Sequence, residues 1–221
     1  MKKLFKWWKT GKDKPFLSDE SQIKTLFNYK RNSVLWSVVL GYGIFYIGRL
    51  TISVAKKPMM DAGILDATEL GIIGALLFYT YAFGKLTNGF LADRANIAKF
   101  MSTGLGVSAV VNLIFGFTTT FWGFAILWAI NGWFQSMGSA PAVVSVTQWF
   151  SSKERGTYYG IWAASHNIGE GLTFIGTATV VSIWGWQAGF IVPGAICLIV
   201  AIILSKTLQD RPETYCLPNV A

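Results

Sequence analysis

The chain is poor in charged residues, in cysteine and in histidine, and each shortage closes off a class of protein. Charged residues make up only 14% of its 221 residues, where an ordinary soluble domain carries about 25%. Two cysteines, Cys197 and Cys216, make no disulfide framework and have no metal-ligand spacing. With the single histidine, His166, there is no Ser/His/Asp or Cys/His constellation to perform covalent chemistry. The chain is therefore expected not to be an enzyme, and to use no cofactor and no metal. No small-residue cleavage site interrupts the first apolar run, so no removable signal peptide is expected.

What the chain has in excess is apolar surface: 52% of its residues are hydrophobic, with ten Trp and sixteen Phe. The net charge of +8 is unevenly spread, because nine of the nineteen Lys and Arg precede Ser33. A basic leader on an apolar body marks a cytoplasmic membrane flank rather than a nucleic-acid surface. The expected partner is the lipid bilayer, and nucleic acid is excluded.

A bilayer core about 30 Å thick is crossed by roughly 20 apolar helical residues. Six stretches qualify, at about 33–57, 68–92, 99–118, 121–144, 156–181 and 185–205. The expected fold is an all-α membrane protein: a basic segment over 1–32, a six-helix bundle over 33–205 and a cytoplasmic segment over 206–221. Lys and Arg alternate between the ends of the spans. Arg94, Lys99, Lys153, Arg155, Lys206 and Arg211 fall on the leader's side, and only Lys56 and Lys57 on the other. The positive-inside rule then puts both termini in the cytoplasm. Gly41, Gly43 and Gly48 in the first span answer Gly132, Gly138 and Pro141 in the fourth. Such matching breaks suggest two inverted three-helix repeats around a substrate pathway.

Polar residues inside the spans fall on single helix faces. Tyr42, Tyr46 and Arg49 are spaced i, i+4, i+7, as are Tyr81, Lys85 and Asn88. Asn131 and Gln135 are one turn apart, and Trp162, His166 and Glu170 occupy successive turns. Intramembrane charges are costly and face a cavity or a partner. At ~1.5 Å per residue, Arg49 lies about 24 Å from the cytoplasmic end, Glu170 about 21 Å, His166 about 15 Å and Lys85 about 12 Å. The chemistry suits phosphate: Arg49 offers a planar fork, Lys85 a compact charge, and His166 a donor when protonated. The tyrosines supply neutral hydrogen bonds and an aromatic wall. Two readings stand for Glu170, a structural counter-ion for Arg49 or Lys85, and a substrate or proton group.

The second span ends in GFLADRAN (89–96), which resembles the Gly-x-x-x-Asp-Arg motif of major facilitator proteins. GYGIFYIGR (41–49), YAFGKLTNGFLADRAN (81–96), NGWFQSMGSAP (131–141), WFSSKERGTYYGIWAASHNIGEG (149–171) and DRPETYCLP (210–218) are similar, in order, to segments of the organophosphate:phosphate antiporter family. That family includes glycerol-3-phosphate and hexose-phosphate transporters and a related glucose-6-phosphate sensor. The resemblance implies the N-terminal half of a twelve-helix transporter of the bacterial inner membrane. Its mechanism would be exchange of an organophosphate for inorganic phosphate by alternating access. Residues 206–221 would begin the central loop, and a separate C-terminal six-helix half would be needed for activity. Arg49 matches the family's first-span phosphate-binding arginine, Lys85 its second-span lysine and His166 its fifth-span histidine. Tyr42, Tyr46 and Tyr81 match its cavity tyrosines. Gly89 would allow close packing, with Asp93 and Arg94 forming a gating charge relay. The sequence departs from the family at Leu50, where a lysine is frequent, at Glu170 within a glycine run, and at Asn96 and Gln187. Half of a membrane sensor signalling to a histidine kinase is the alternative reading.

Overall fold

The structure, a computed structural model, describes residues 7–219. Lys2, Lys3 and Lys6 of the basic leader lie outside the described residues. The body is built from seven helices: α1 (Glu20–Asp61), α2 (Ala67–Ala92), α3 (Ile97–Phe115), α4 (Phe121–Gln135), α5 (Ser139–Trp149), α6 (Arg155–Trp184) and α7 (Ala188–Thr207). A 3-10 turn, Pro212–Tyr215, follows.

Local chemistry sets the helix starts. Asp19 accepts from the amides of Ser21 and Gln22 to open α1. Asp66 and Glu69 form a reciprocal capping box on α2. Asn96 and Thr120 cap α3 and α4 through the amides of Lys99 and Gly123. Gly63 and Gly185, at φ 65° and 83°, turn the chain after α1 and α6 in a backbone region that side chains avoid.

Four helices, α1, α2, α3 and α7, are each long and apolar enough to cross a membrane. The fourth expected span departs from one continuous helix. It is broken at Ser136–Gly138 into α4, of 15 residues, and α5, of 11. Packing explains the break: a methyl on Gly138 would meet the Phe45 ring at about 3.1 Å, so α1 presses on the backbone there. Pro141 falls in the first turn of α5, where a missing amide costs no helical hydrogen bond. The helix of the fifth span, α6, is not among those four, and it carries the His166 and Glu170 stripe.

In the bundle α3 packs on α7, α1 on α6 and α2 on α4, with α1 also against α7 and α3 against α4. Two large apolar clusters fill it, beside a small third one around Phe100 and Met137. One gathers Val38, Phe45, Leu105, Trp149 and Leu204 at the end that carries both termini. The other gathers Ile52, Phe115, Trp128 and Phe190 at the opposite end. Between them lies a layer of buried polar side chains from α1, α3 and α4. The outside is apolar: Phe78, Phe83, Phe90, Phe117, Trp122 and Ile175 are all exposed. Burial inside and apolar side chains outside together describe a multi-pass integral membrane protein.

Candidate substrate cavity

The stripes of α1, α2 and α6 meet at one place. The Arg49 guanidinium lies 4.1 Å from the centre of the Tyr46 ring and 5.0 Å from that of Tyr81. Lys85 Nζ lies 5.2 Å from the same Tyr81 ring. Tyr46 stacks on His166 at 5.6 Å, and Tyr42 leans on Trp162 at 4.9 Å. Three helices thus bring Tyr42, Tyr46, Arg49, Tyr81, Lys85 and His166 into a continuous chain of contacts. Both cations rest on π faces rather than on carboxylates, and the attraction is modest. The three ion pairs of the described residues include neither Arg49 nor Lys85.

A cavity of about 600 Å³ opens beside this cluster, toward the end that carries both termini. Tyr42, Lys85, Gly89, Asp93, Tyr159 and Trp162 are among the residues that line it. Trp162 is buried and its indole N–H has no acceptor among the described residues. The stripe spacing pointed to this tryptophan, but sequence reasoning assigned it no part in the site.

Against this geometry the comparisons with known proteins decide the family. The profile described as Major Facilitator Superfamily matches residues 38–216. This chain belongs to the major facilitator superfamily. Among its relatives, the membrane sensor protein UhpC of Escherichia coli (strain K12) is 34% identical over 212 residues, which are 96% of this chain and 48% of that protein. A probable hexose phosphate transport protein of Chlamydia trachomatis is 37% identical over 92% of this chain and 45% of its own length. The glycerol-3-phosphate transporter of Bacillus subtilis is 33% identical over 91% of this chain and 46% of its own. The chain therefore spans about half the length of the curated relatives it matches. In fold it resembles the crystal structure of a bacterial homologue of the human lysosomal transporter Spinster in an inward-facing, unoccupied conformation, with a TM-score of 0.72 at 21% identity. That match covers 83% of this chain and 44% of the other. The superfamily is one of transporters rather than enzymes.

Within this major facilitator chain the structure also separates residues that the stripe argument had grouped. Asn131 and Gln135 do not face the cavity. They are buried, and α3 takes up their polar atoms: Ser108 donates to Asn131 Oδ1 at 2.5 Å and accepts from Gln135 Nε2 at 2.7 Å. Asn131 and Asn112 both donate to the Gly48 carbonyl, at 3.0 and 2.9 Å. This network clamps the backbone of α1 immediately before Arg49. Gly48 has no side chain because a methyl there would meet Gln135 Nε2 at 3.0 Å. Ser108 and Asn112 went unnoticed in the sequence, although their i, i+4 spacing mirrors that of Asn131 and Gln135.

Glu170 and the gating motif are placed differently from expectation as well. Glu170 is half-buried on α6 and belongs to none of the ion pairs. Asp93 and Arg94 are exposed at the end of α2, also outside those pairs. The ion pair that does join helices at that end is Arg31 with Glu154. It is bidentate at 3.1 Å for both contacts, and Tyr158 and Ser151 add hydrogen bonds at 2.8 and 3.0 Å. The Arg31 hydrogen bond, helped by Ser151, holds the Glu154 carboxyl below its ordinary range.

Proposed function

We propose that this chain is the N-terminal half of a secondary transporter that exchanges an organophosphate for inorganic phosphate by alternating access. Arg49 and Lys85 bind the phosphate from α1 and α2, with His166 adding a donor and the tyrosines walling the organic part. The observation that carries this reading is the pair of cations, a half-buried Arg49 and an exposed Lys85, gathered on one tyrosine ring with no carboxylate bound to either among the described residues. Such an unneutralised pair is costly in a membrane unless an anion visits it. The relatives named hexose phosphate and glycerol-3-phosphate transporters point to the same class of substrate.

In this reading the broken pair α4–α5 and the polar α6 complete six crossings of the inner membrane. Both termini then lie in the cytoplasm, where the basic leader belongs. Asn131 and Gln135 serve the site indirectly, by fixing the backbone beside Arg49. Gly89, Asp93 and Arg94 form the hinge region against which a C-terminal six-helix half rocks.

The test is exchange of radiolabelled phosphate in vesicles holding this chain together with a matching C-terminal half. Robust exchange with both halves and none with this chain alone is expected. Arg49→Lys in that pair is expected to lower exchange by roughly tenfold or more, because the bidentate fork is lost. Wild-type exchange by Arg49→Lys would make the arginine structural. The likeness to UhpC favours a second reading, half of a sensor. Ligand-dependent activation of a histidine kinase without uptake would favour it.

A further inference from the structure

The phosphate reading leaves one intramembrane charge, Glu170, without a task. Among the described residues it takes part in no hydrogen bond or ion pair. Its level in the bundle follows from the contacts of α1 with α6. Tyr42 meets Trp162 and Tyr46 stacks on His166, so these faces of the two helices meet over successive turns. The two helices touch backbone to backbone where Gly43 packs on Gly169; a methyl on Gly169 would run into the Gly43 carbonyl. Glu170 follows His166 by one turn on the same face of α6, as Arg49 follows Tyr46 by three residues on α1. Yet Arg49 turns the other way, over Tyr46 and Tyr81, toward Lys85 on α2.

Charge is therefore divided: Arg49 and Lys85 lie on the α1–α2 side, with Asp93 two turns beyond Lys85 at the mouth of the cavity, and Glu170 lies on α6. A plain phosphate monoester fits the first side and is repelled by the second. It carries about 1.5 to 2 negative charges at neutral pH, which Arg49 and Lys85 balance, leaving Glu170 as an excess charge in a span. A ligand with an anion at one end and a cation at the other satisfies both sides.

We propose that the site selects a zwitterionic organophosphate, one that carries a protonated amine a few bonds from its phosphate. The phosphate sits on Arg49 and Lys85, and the ammonium on Glu170. The inference rests on the phosphate site proposed above and names its substrate class.

The experiment measures equilibrium binding of radiolabelled inorganic phosphate to the 221-residue chain in lipid nanodiscs. Bound label is displaced either by phosphoethanolamine or by propyl phosphate, which has a methyl in place of the ammonium. Phosphoethanolamine is expected to displace at a concentration about tenfold lower or more, the effect of one charge-assisted contact. In Glu170→Gln the ratio is expected to fall to about one, and in Glu170→Asp, which keeps the charge, to remain above one. Equal displacement in the wild type would overturn the proposal while leaving the phosphate site standing, as would a preference that survives Glu170→Gln. Glu170 would then serve a proton or a cation of the other half. Absence of saturable phosphate binding in the wild type would overturn both readings together.

Discussion

The side chains of this protein are most informative where polar atoms are buried. Asn131, Gln135, Ser108 and Asn112 look, one at a time, like candidates for a substrate pathway, because polarity in a span suggests water. Their hydrogen bonds converge instead on Gly48, one residue from Arg49. The consequence is measurable. Replacing Asn131 by Ala leaves Ser108 and the Gly48 carbonyl each short of a partner, and loss of such a buried hydrogen bond costs about 1–3 kcal/mol. Thermal unfolding in detergent should show that loss directly. Phosphate affinity should fall with it, since Arg49 loses its backbone anchor. An unchanged melting temperature would mean that the network contributes no net stability.

At the scale of helices, the expected apolar stretches overlap each long helix but misjudge continuity. The α4–α5 stretch reads as a single span over 121–144 because hydropathy is blind to Phe45 pressing against Gly138 from α1. The long α1 begins at Glu20, well before the apolar run, because Asp19 caps it and the turns that follow are amphipathic. Between α1 and α6 the strongest polar tie is Arg31 with Glu154. A carboxyl held below its unfolded value stabilises the fold above that value, near 4, and the contribution disappears as pH falls through the depressed folded value. Acid titration of unfolding should therefore show a loss of stability below about pH 4 that Glu154→Gln abolishes. A Glu154→Gln protein with an unaltered acid limb would show that the pair contributes nothing to the pH dependence.

At the scale of the whole molecule, the segments before α1 and after α7 form a strap across one end of the bundle. The Gly11 amide and the Asn96 side chain both donate to Asp210 Oδ2, at 3.1 and 2.9 Å. Trp149 Nε1 donates to the Asp210 carbonyl at 2.9 Å. The amides of Lys14 and Leu17 donate to the carbonyls of Glu213 and Cys216. Asp13 pairs with Arg211 at 2.8 Å. Burial raises the Asp210 carboxyl above its ordinary value, opposed by the donating amides and by Arg211. With that sign, its contribution to stability is fullest below the unfolded value near 4 and is lost as pH rises to the folded value. Limited proteolysis between residues 7 and 19 should accordingly quicken over that rise. Asp210→Asn should remove the pH dependence, whereas Asp210→Ala should leave the strap open at every pH. A proteolysis rate independent of both pH and substitution would show that the strap is held by its other contacts.

The membrane-embedded body, the alternation of basic flanks and the cation-bearing stripes were legible in the amino-acid sequence. Each follows from one-dimensional periodicity, in which helix pitch and bilayer thickness alone decide the outcome. The split of α4 from α5, the withdrawal of Asn131 and Gln135 from the cavity, the placing of Arg49 over Tyr46 and Tyr81, and the strap on Asp210 were decided only by tertiary structure. These depend on which helix faces which, and on whether a backbone can approach closely enough to be touched. No spacing along a single chain encodes that distance.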